Sequence, residues 1–215
     1  NNEIKDQHDR TINNDLTFND SIKLTNVDFQ YPQKNTKVLS GLNLTLRKNK
    51  IIGIIGETGS GKTTLINLIC GLIKPSNGKI LIDEKDLSKA INSWQKKISY
   101  VPQSVYLIDD TVINNVAFGV DQKNINIDKV KSALKTACLD KEIENLPNGL
   151  NTILGERGLS LSGGQQQRIG IARSIYFDKE IIIFDEATNA LDKDTEKKLI
   201  SEIFNLKNKT IIIIT

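Results

Sequence analysis

Ile51-Ile52-Gly53-Ile54-Ile55-Gly56-Glu57-Thr58-Gly59-Ser60-Gly61-Lys62-Thr63 runs from a short apolar stretch into a glycine-rich loop and a lysine. A continuous apolar run of this length is the pattern of a strand buried on both faces of a parallel sheet. The loop satisfies G-x-x-x-x-G-K-[ST] and precedes a helix predicted over residues 62–70, the context a phosphate-binding loop requires. Glycines let backbone N–H groups converge on phosphate oxygens without Cβ interference, and the following helix points its positive end at them. Lys62 would place an ammonium on the terminal phosphates of a nucleotide, and the Thr63 hydroxyl would ligate Mg²⁺. A carboxylate inside the loop would repel phosphate, so the Glu57 side chain is expected to point outward.

Ile181-Ile182-Ile183-Phe184-Asp185-Glu186 is a second apolar strand, ending in two carboxylates. A buried parallel strand delivers the residues at its carboxyl end to the ligand crevice. Asp185 would hold Mg²⁺ through water, and Glu186, one step further, would orient or deprotonate an attacking water. Leu161-Ser162-Gly163-Gly164-Gln165 opens a helix. Ser162 can cap it and the glycines leave its first N–H groups bare, giving a second anion-binding helix start.

Around these segments the chain alternates strands and helices. Ile22/Leu24 and Val27/Phe29 predict a strand with a bulge between the pairs, and Leu42, Leu44 and Leu46 predict another. Short strands follow near Lys79–Ile82 and Ile98–Val101. Between about 104 and 161 the strand signal fades, and Val130, Leu134, Ala137 and Cys138 recur at helical spacing. A helix over 163–176, the strand at 181, a helix over Thr195–Phe204 and a last strand at Ile211–Thr215 complete a mostly parallel sheet covered on both faces. Residues 1–20 are polar and rich in Asn and Asp, and are expected to form a flexible linker ahead of a domain spanning 21–215.

Composition narrows the function. The chain has 215 residues, with 29 basic and 26 acidic residues for a net charge of +3. That balance gives no electrostatic case for nucleic-acid binding. No apolar run reaches the ~20 residues that cross a bilayer, so no direct membrane insertion is expected. One histidine, His8, and two cysteines, Cys70 and Cys138, exclude a histidine-based metal centre, a histidine-dependent triad and a disulfide scaffold. The absence of methionine, even at position 1, suggests a piece of a longer polypeptide.

Taken together, the phosphate loop, the Asp185-Glu186 strand end and the Leu161–Gln165 segment resemble the ATP-binding cassette family over about residues 21–215. The resemblance implies a P-loop NTPase (RecA-like) α/β core, an N-terminal antiparallel β-subdomain and a helical subdomain at about 104–161. It implies ATP and Mg²⁺ as ligands, with Gly56, Thr58, Gly59, Ser60, Gly61, Lys62, Thr63 and Thr64 on the phosphates and Tyr31 stacked on adenine. Thr63, Asp185 and Gln103, in Val101-Pro102-Gln103, would attend the metal. Ser162, Gly163, Gly164 and Gln165 would meet the γ-phosphate held by a second nucleotide-binding domain, in the first instance another copy. Ala190-Leu191-Asp192 matches the D-loop, with Asn189 where the family usually has serine. Glu186, Lys62 and Gln103 would carry the catalysis.

Thr152-Ile153-Leu154-Gly155-Glu156-Arg157-Gly158 resembles the segment before the signature in exporter-type cassettes, whose glutamate meets a transmembrane domain. Asp109–Gly119 is similar in kind and resembles bacterial flippases of lipids and lipid-linked saccharides. A place on the cytoplasmic side of the cell membrane follows from that resemblance. So does a histidine just beyond Thr215, without which hydrolysis is expected to be poor. Two alternatives stand beside the exporter motor. A soluble cassette ATPase of DNA repair or translation would need coiled-coil arms or a second cassette. An ATP-gated dimerisation module would turn over little. A small-molecule P-loop kinase would lack the Leu161–Gln165 segment.

Overall fold

The computed structural model describes residues 16–33, 36–155 and 160–215. An antiparallel sheet is built from β1 (Ser21–Phe29), β2 (Leu39–Arg47), β4 (Asn77–Ile82) and β5 (Lys85–Asp86), in the order β2-β1-β4-β5. A parallel sheet is built from β3 (Ile51–Ile54), β6 (Ile98–Val101), β7 (Ile181–Asp185) and β8 (Thr210–Ile214), in the order β3-β8-β7-β6. The helices are α1 (Lys62–Ile69), α2 (Ile91–Gln95), α3 (Val112–Val116), α4 (Ile127–Thr136), α5 (Asp140–Glu144), α6 (Gly163–Tyr176) and α7 (Lys193–Phe204). The architecture is therefore an α/β P-loop core with an antiparallel β-subdomain and a helical insert between β6 and α6.

β7 is the hinge of the packing. Its period of two sends Ile181 and Ile183 into one core with α1 and the antiparallel sheet. Ile182 and Phe184 go into the other, with α6, α7 and the helical insert. β8 repeats this, with Ile212 and Ile214 on the first side and Ile211 on the second. Burial of one such isoleucine stabilises the fold by about 2–3 kcal/mol, which is why these runs carry no polar alternation.

β3 departs from expectation. Among the described residues it pairs only with β8, so it is an edge strand, and Ile51 and Ile55 are 43% and 83% exposed. An apolar run records a strand's tolerance for burial and nothing about its lateral neighbours. The bulge expected in β1 is present: its register with β2 shifts between Leu24 and Val27, and Asn26 takes φ 47°.

Residues 16–20, assigned from sequence to the flexible linker, are packed onto the domain. Leu16 and Phe18 are buried, and the Phe18 ring meets Trp94 edge-on at 5.5 Å. The Trp94 indole N–H in turn donates to the Ile69 carbonyl at 2.7 Å. The Asp83 carboxylate accepts from the backbone N–H groups of Asn19, Asp20 and Ser21. Lys48 donates to the Phe18 carbonyl and lies over its ring.

Candidate functional site

The loop between β3 and α1 is exposed from Gly56 to Ser60 and folds on its own backbone, with Ser60 N–H donating to the Glu57 carbonyl at 3.1 Å. Gly59 and Gly61 take a left-handed backbone that favours glycine, whereas Gly56 meets only the movable tip of the Ser60 side chain. Gly61 takes φ +96°, and a Cβ there would lie 3.0 Å from Val38 Cγ1. At Gly56 a Cβ would lie 2.8 Å from Ser60 Oγ. The Lys62 ammonium crosses the loop to the carbonyls of Gly56 and Glu57 at 2.6 and 3.2 Å, so lysine and loop are held as one unit. α1 starts without a side-chain cap and without an acidic residue in its first turn. Its leading N–H groups are thus left to an external acceptor, and a phosphate fits them in charge and hydrogen-bond sense. Glu57 is exposed, like its neighbours in the loop.

Tyr31 is tied to the same helix: its hydroxyl pairs with Thr64 Oγ1 at 3.1 Å and its ring meets Phe29 edge-on at 4.9 Å. Thr64 is buried, so its hydroxyl serves Tyr31 and lies inside the fold, while Thr63 is exposed at the start of α1.

Parallel pairing brings the other groups to the same sheet edge. Asp185 pairs with Ile214, and Ile214 with Ile54, the residue two before Gly56. Asp185 is 7% exposed, and one of its oxygens accepts from the Tyr100 hydroxyl at 2.7 Å. Burial first, then the carboxylate beside it, push the Tyr100 phenol well above its ordinary pKa, so it is a fixed donor. Glu186 takes φ 50°, a left-handed conformation that turns the chain out of β7. Its Oε2 accepts from Gln103 Nε2 and from Asn189 Nδ2, both at 3.0 Å. With its nitrogen so used, Gln103 has its amide oxygen as the group to offer a cation. Thr63, Gln103 and Asp185 are oxygen donors, the set a hard divalent cation takes.

Ser162 caps α6 in a reciprocal box. Its hydroxyl accepts from Gln165 N–H at 3.2 Å, and Gln165 Oε1 accepts from Ser162 N–H at 2.9 Å. Gln165 also donates to Glu142 at 2.7 Å, so both its amide and its side chain serve the helix start. Glu142 is held in turn by Arg168 at 2.6 Å. The segment packs on the D-loop of its own chain: a Cβ on Gly164 would lie 2.9 Å from the Ala190 carbonyl oxygen. Asp192 caps α7, accepting from Asp194 and Thr195 N–H at 3.2 and 3.0 Å. The Thr195 bonds lead in holding its carboxyl below the usual range.

The two stretches that resemble exporter-type segments lie side by side. Val112 N–H donates to the Thr152 carbonyl at 3.0 Å and Leu154 N–H to the Asp110 carbonyl at 2.9 Å, flanking a bridge from Thr111 to Ile153. Asn115, fully buried, accepts from Ile108 N–H and donates to nearby carbonyls, pinning this corner. Glu156 and Arg157 lie outside the described residues.

Sequence reasoning missed Tyr100 altogether, and it recorded Asn189 only as a departure from a pattern. Gln167, whose side-chain amide donates to the Pro102 carbonyl at 3.0 Å, was also missed. The Tyr100 and Gln167 contacts depend on which elements are neighbours, and the Asn189 contact on the left-handed backbone at Glu186, none of which a local signal carries.

A glycine cradle with a bare helix start, facing carboxylates at the end of the second strand over, defines a P-loop nucleotide-binding domain. Comparison with known proteins extends this. The pattern of the ABC transporter family matches residues 39–189, and the chain belongs to that family, whose ATP-binding domains are ATPases. It is 40% identical over 175 residues to an ATP-dependent lipid A-core flippase of Cupriavidus pinatubonensis, covering 80% of this chain and 30% of that protein. It is 38% identical over 205 residues to the alpha-hemolysin translocation ATP-binding protein HlyB of Escherichia coli, covering 94% and 28%. A solved structure described as a bacterial Atm1-family ABC exporter with ATP bound superposes with a TM-score of 0.86 at 35% identity, covering 93% of this chain and 35% of that one. The chain thus spans about a third of the length of these relatives. No described helix is long and apolar enough to cross a membrane.

Proposed function

We propose that this domain binds and hydrolyses Mg-ATP as the motor of an exporter-type transporter, working at the cytoplasmic face of a membrane with a second nucleotide-binding domain. One observation supports this above the rest. Parallel pairing across β3, β8 and β7 puts the Lys62 cradle and the Asp185-Glu186 pair at one sheet edge, where Gln103 already touches Glu186.

In this reading the amides at the start of α1 and the Lys62 ammonium hold the β- and γ-phosphates. Gly56, Thr58, Gly59, Ser60 and Gly61 shape the cradle, and Tyr31 stacks on the base. Thr63, Gln103 and Asp185 hold the metal, which when bound offsets charge on the phosphates. Glu186 accepts a proton from the attacking water. Ser162 and the amides of Gly163 and Gly164 meet the γ-phosphate held by the second domain, with Gln165 bracing the turn and Asp192 fixing the D-loop beside it. Closure follows because one phosphate joins two half-sites, and its departure favours opening. The likeness to proteins named as a flippase and a translocation protein supports export or lipid flipping as the output. The paired segments at Asp110 and Thr152 would face the transmembrane partner.

Calorimetry with magnesium present should show ATP binding to the parent and none to Lys62→Ala. Glu186→Gln should bind ATP as the parent does and hydrolyse it at least a hundredfold more slowly. Equal turnover by that variant would remove Glu186 from the role of base.

A further inference from the structure

Glu186 is held from two directions. Gln103 reaches it from the exposed loop after β6, and Asn189 from the turn that Glu186 itself begins. That turn is tied to β8, where Glu186 N–H donates to the Ile214 carbonyl at 3.2 Å, and is closed on its own backbone where Asn189 N–H donates to the Glu186 carbonyl at 3.3 Å. The left-handed backbone at Glu186, at φ 50°, folds residue 189 back over residue 186. The Asn189 side chain spans the gap and carries the donor. Serine ends one bond short, and aspartate has the shape without the donor.

A carboxylate with one oxygen tied by two donors has its plane and direction set, so its other oxygen points one way. The Gln103 bond depends on where the loop after β6 lies, whereas the Asn189 bond is internal to one turn. We infer that Asn189 is a positioning residue for Glu186, anchoring Oε2 so that Oε1 is presented to the attacking water. This rests on the reading of Glu186 as the proton acceptor. It also gives the D-loop a task inside its own chain: whatever touches residues 189–192 from outside bears directly on the aim of Glu186.

The test uses Asn189→Ala, Asn189→Ser and Asn189→Asp in the same chain. Expected is a fall in kcat of about tenfold for Ala and Ser, the loss of one bond to a charged group, with KM and calorimetric ATP affinity within about twofold of the parent. Asn189→Asp should be no faster than Ala, although it fills the same space. Nucleotide-free crystal structures give a readout apart from turnover: Glu186 should adopt one rotamer in the parent and several in Asn189→Asp. Parent-like kcat in the Asp variant, or a single unchanged Glu186 rotamer in it, would overturn the inference. Parent-like turnover by Glu186→Gln would instead overturn the underlying assignment, whatever the Asn189 variants do.

Discussion

The Tyr100 hydroxyl donates to Asp185 Oδ2 at 2.7 Å, fastening β6 to the carboxyl end of β7 at the point where the carboxylate leaves the sheet. A buried carboxylate with one oxygen so occupied presents the other in a fixed direction. Tyr100→Phe removes the donor and keeps the ring. The expected outcome is a loss of about 1–2 kcal/mol in unfolding free energy, read from urea denaturation, because Asp185 is left short of a partner. The magnesium concentration needed for half-maximal turnover should rise alongside. Unchanged urea midpoint and magnesium dependence together would show that the bond is idle.

Gly163 and Gly164 stand next to each other yet should respond differently to alanine. At Gly164 a Cβ would lie 2.9 Å from the Ala190 carbonyl oxygen and 3.2 Å from Leu191 Cδ2. At Gly163 the nearest atom would be 4.0 Å away. Helix propensity favours alanine at both by up to about 1 kcal/mol. Gly163→Ala should therefore match or exceed the parent in stability. Gly164→Ala should lose about 1–3 kcal/mol as the D-loop is displaced, and ATP-dependent dimerisation should weaken. Denaturation and light scattering would read both effects; identical behaviour of the pair would contradict the geometry.

Asp83 governs an acid-sensitive contact. Burial alone would raise its pKa, but the N–H groups of Ser21, Asp20 and Asn19, with Lys48 nearby, outweigh that and lower it. A carboxyl depressed in the folded state contributes stability above its unfolded pKa, about 3.9, and loses it as pH falls through the lower folded value. Asp83→Asn should thus be less stable than the parent at pH 7, and the two should converge in strong acid. A gap that persists undiminished at low pH would rule out this origin.

Cys70 is buried, and burial raises its thiol pKa to about 12. Since the thiolate is the reactive form, Cys70 should resist disulfide reagents at pH 8 in the folded protein and react at the rate of unfolding. Immediate labelling of Cys70 would mean that the core around α1 opens far more readily than its packing implies.

Much of this was legible in one dimension, for a physical reason. The loop from Gly56 to Thr63 and the β7 run each carry fold and chemistry in adjacent residues, so local pattern suffices. The β1 bulge was readable because a slip in a two-residue period has no other cheap meaning. Leu16 and Phe18 alternate too, but two apolar residues inside a polar stretch are too weak a signal without Trp94 to receive them. The exposure of β3 depends on its lateral partners, and the bonds of Tyr100 and Asn189 depend on strand order and on a left-handed backbone. None of these has a local spelling.

Gln167, near the start of α6, grips the carbonyl of Pro102, the residue directly before Gln103. Because Gln167 is part of α6, this bond links the placement of that helix to the placement of Gln103. Tuning by selection or by an engineer is correspondingly constrained. Under the proposed reading, a change at the start of α6 alters both the Ser162 contact to a second domain and the placement of Gln103, so the two traits are inherited as a single adjustable quantity.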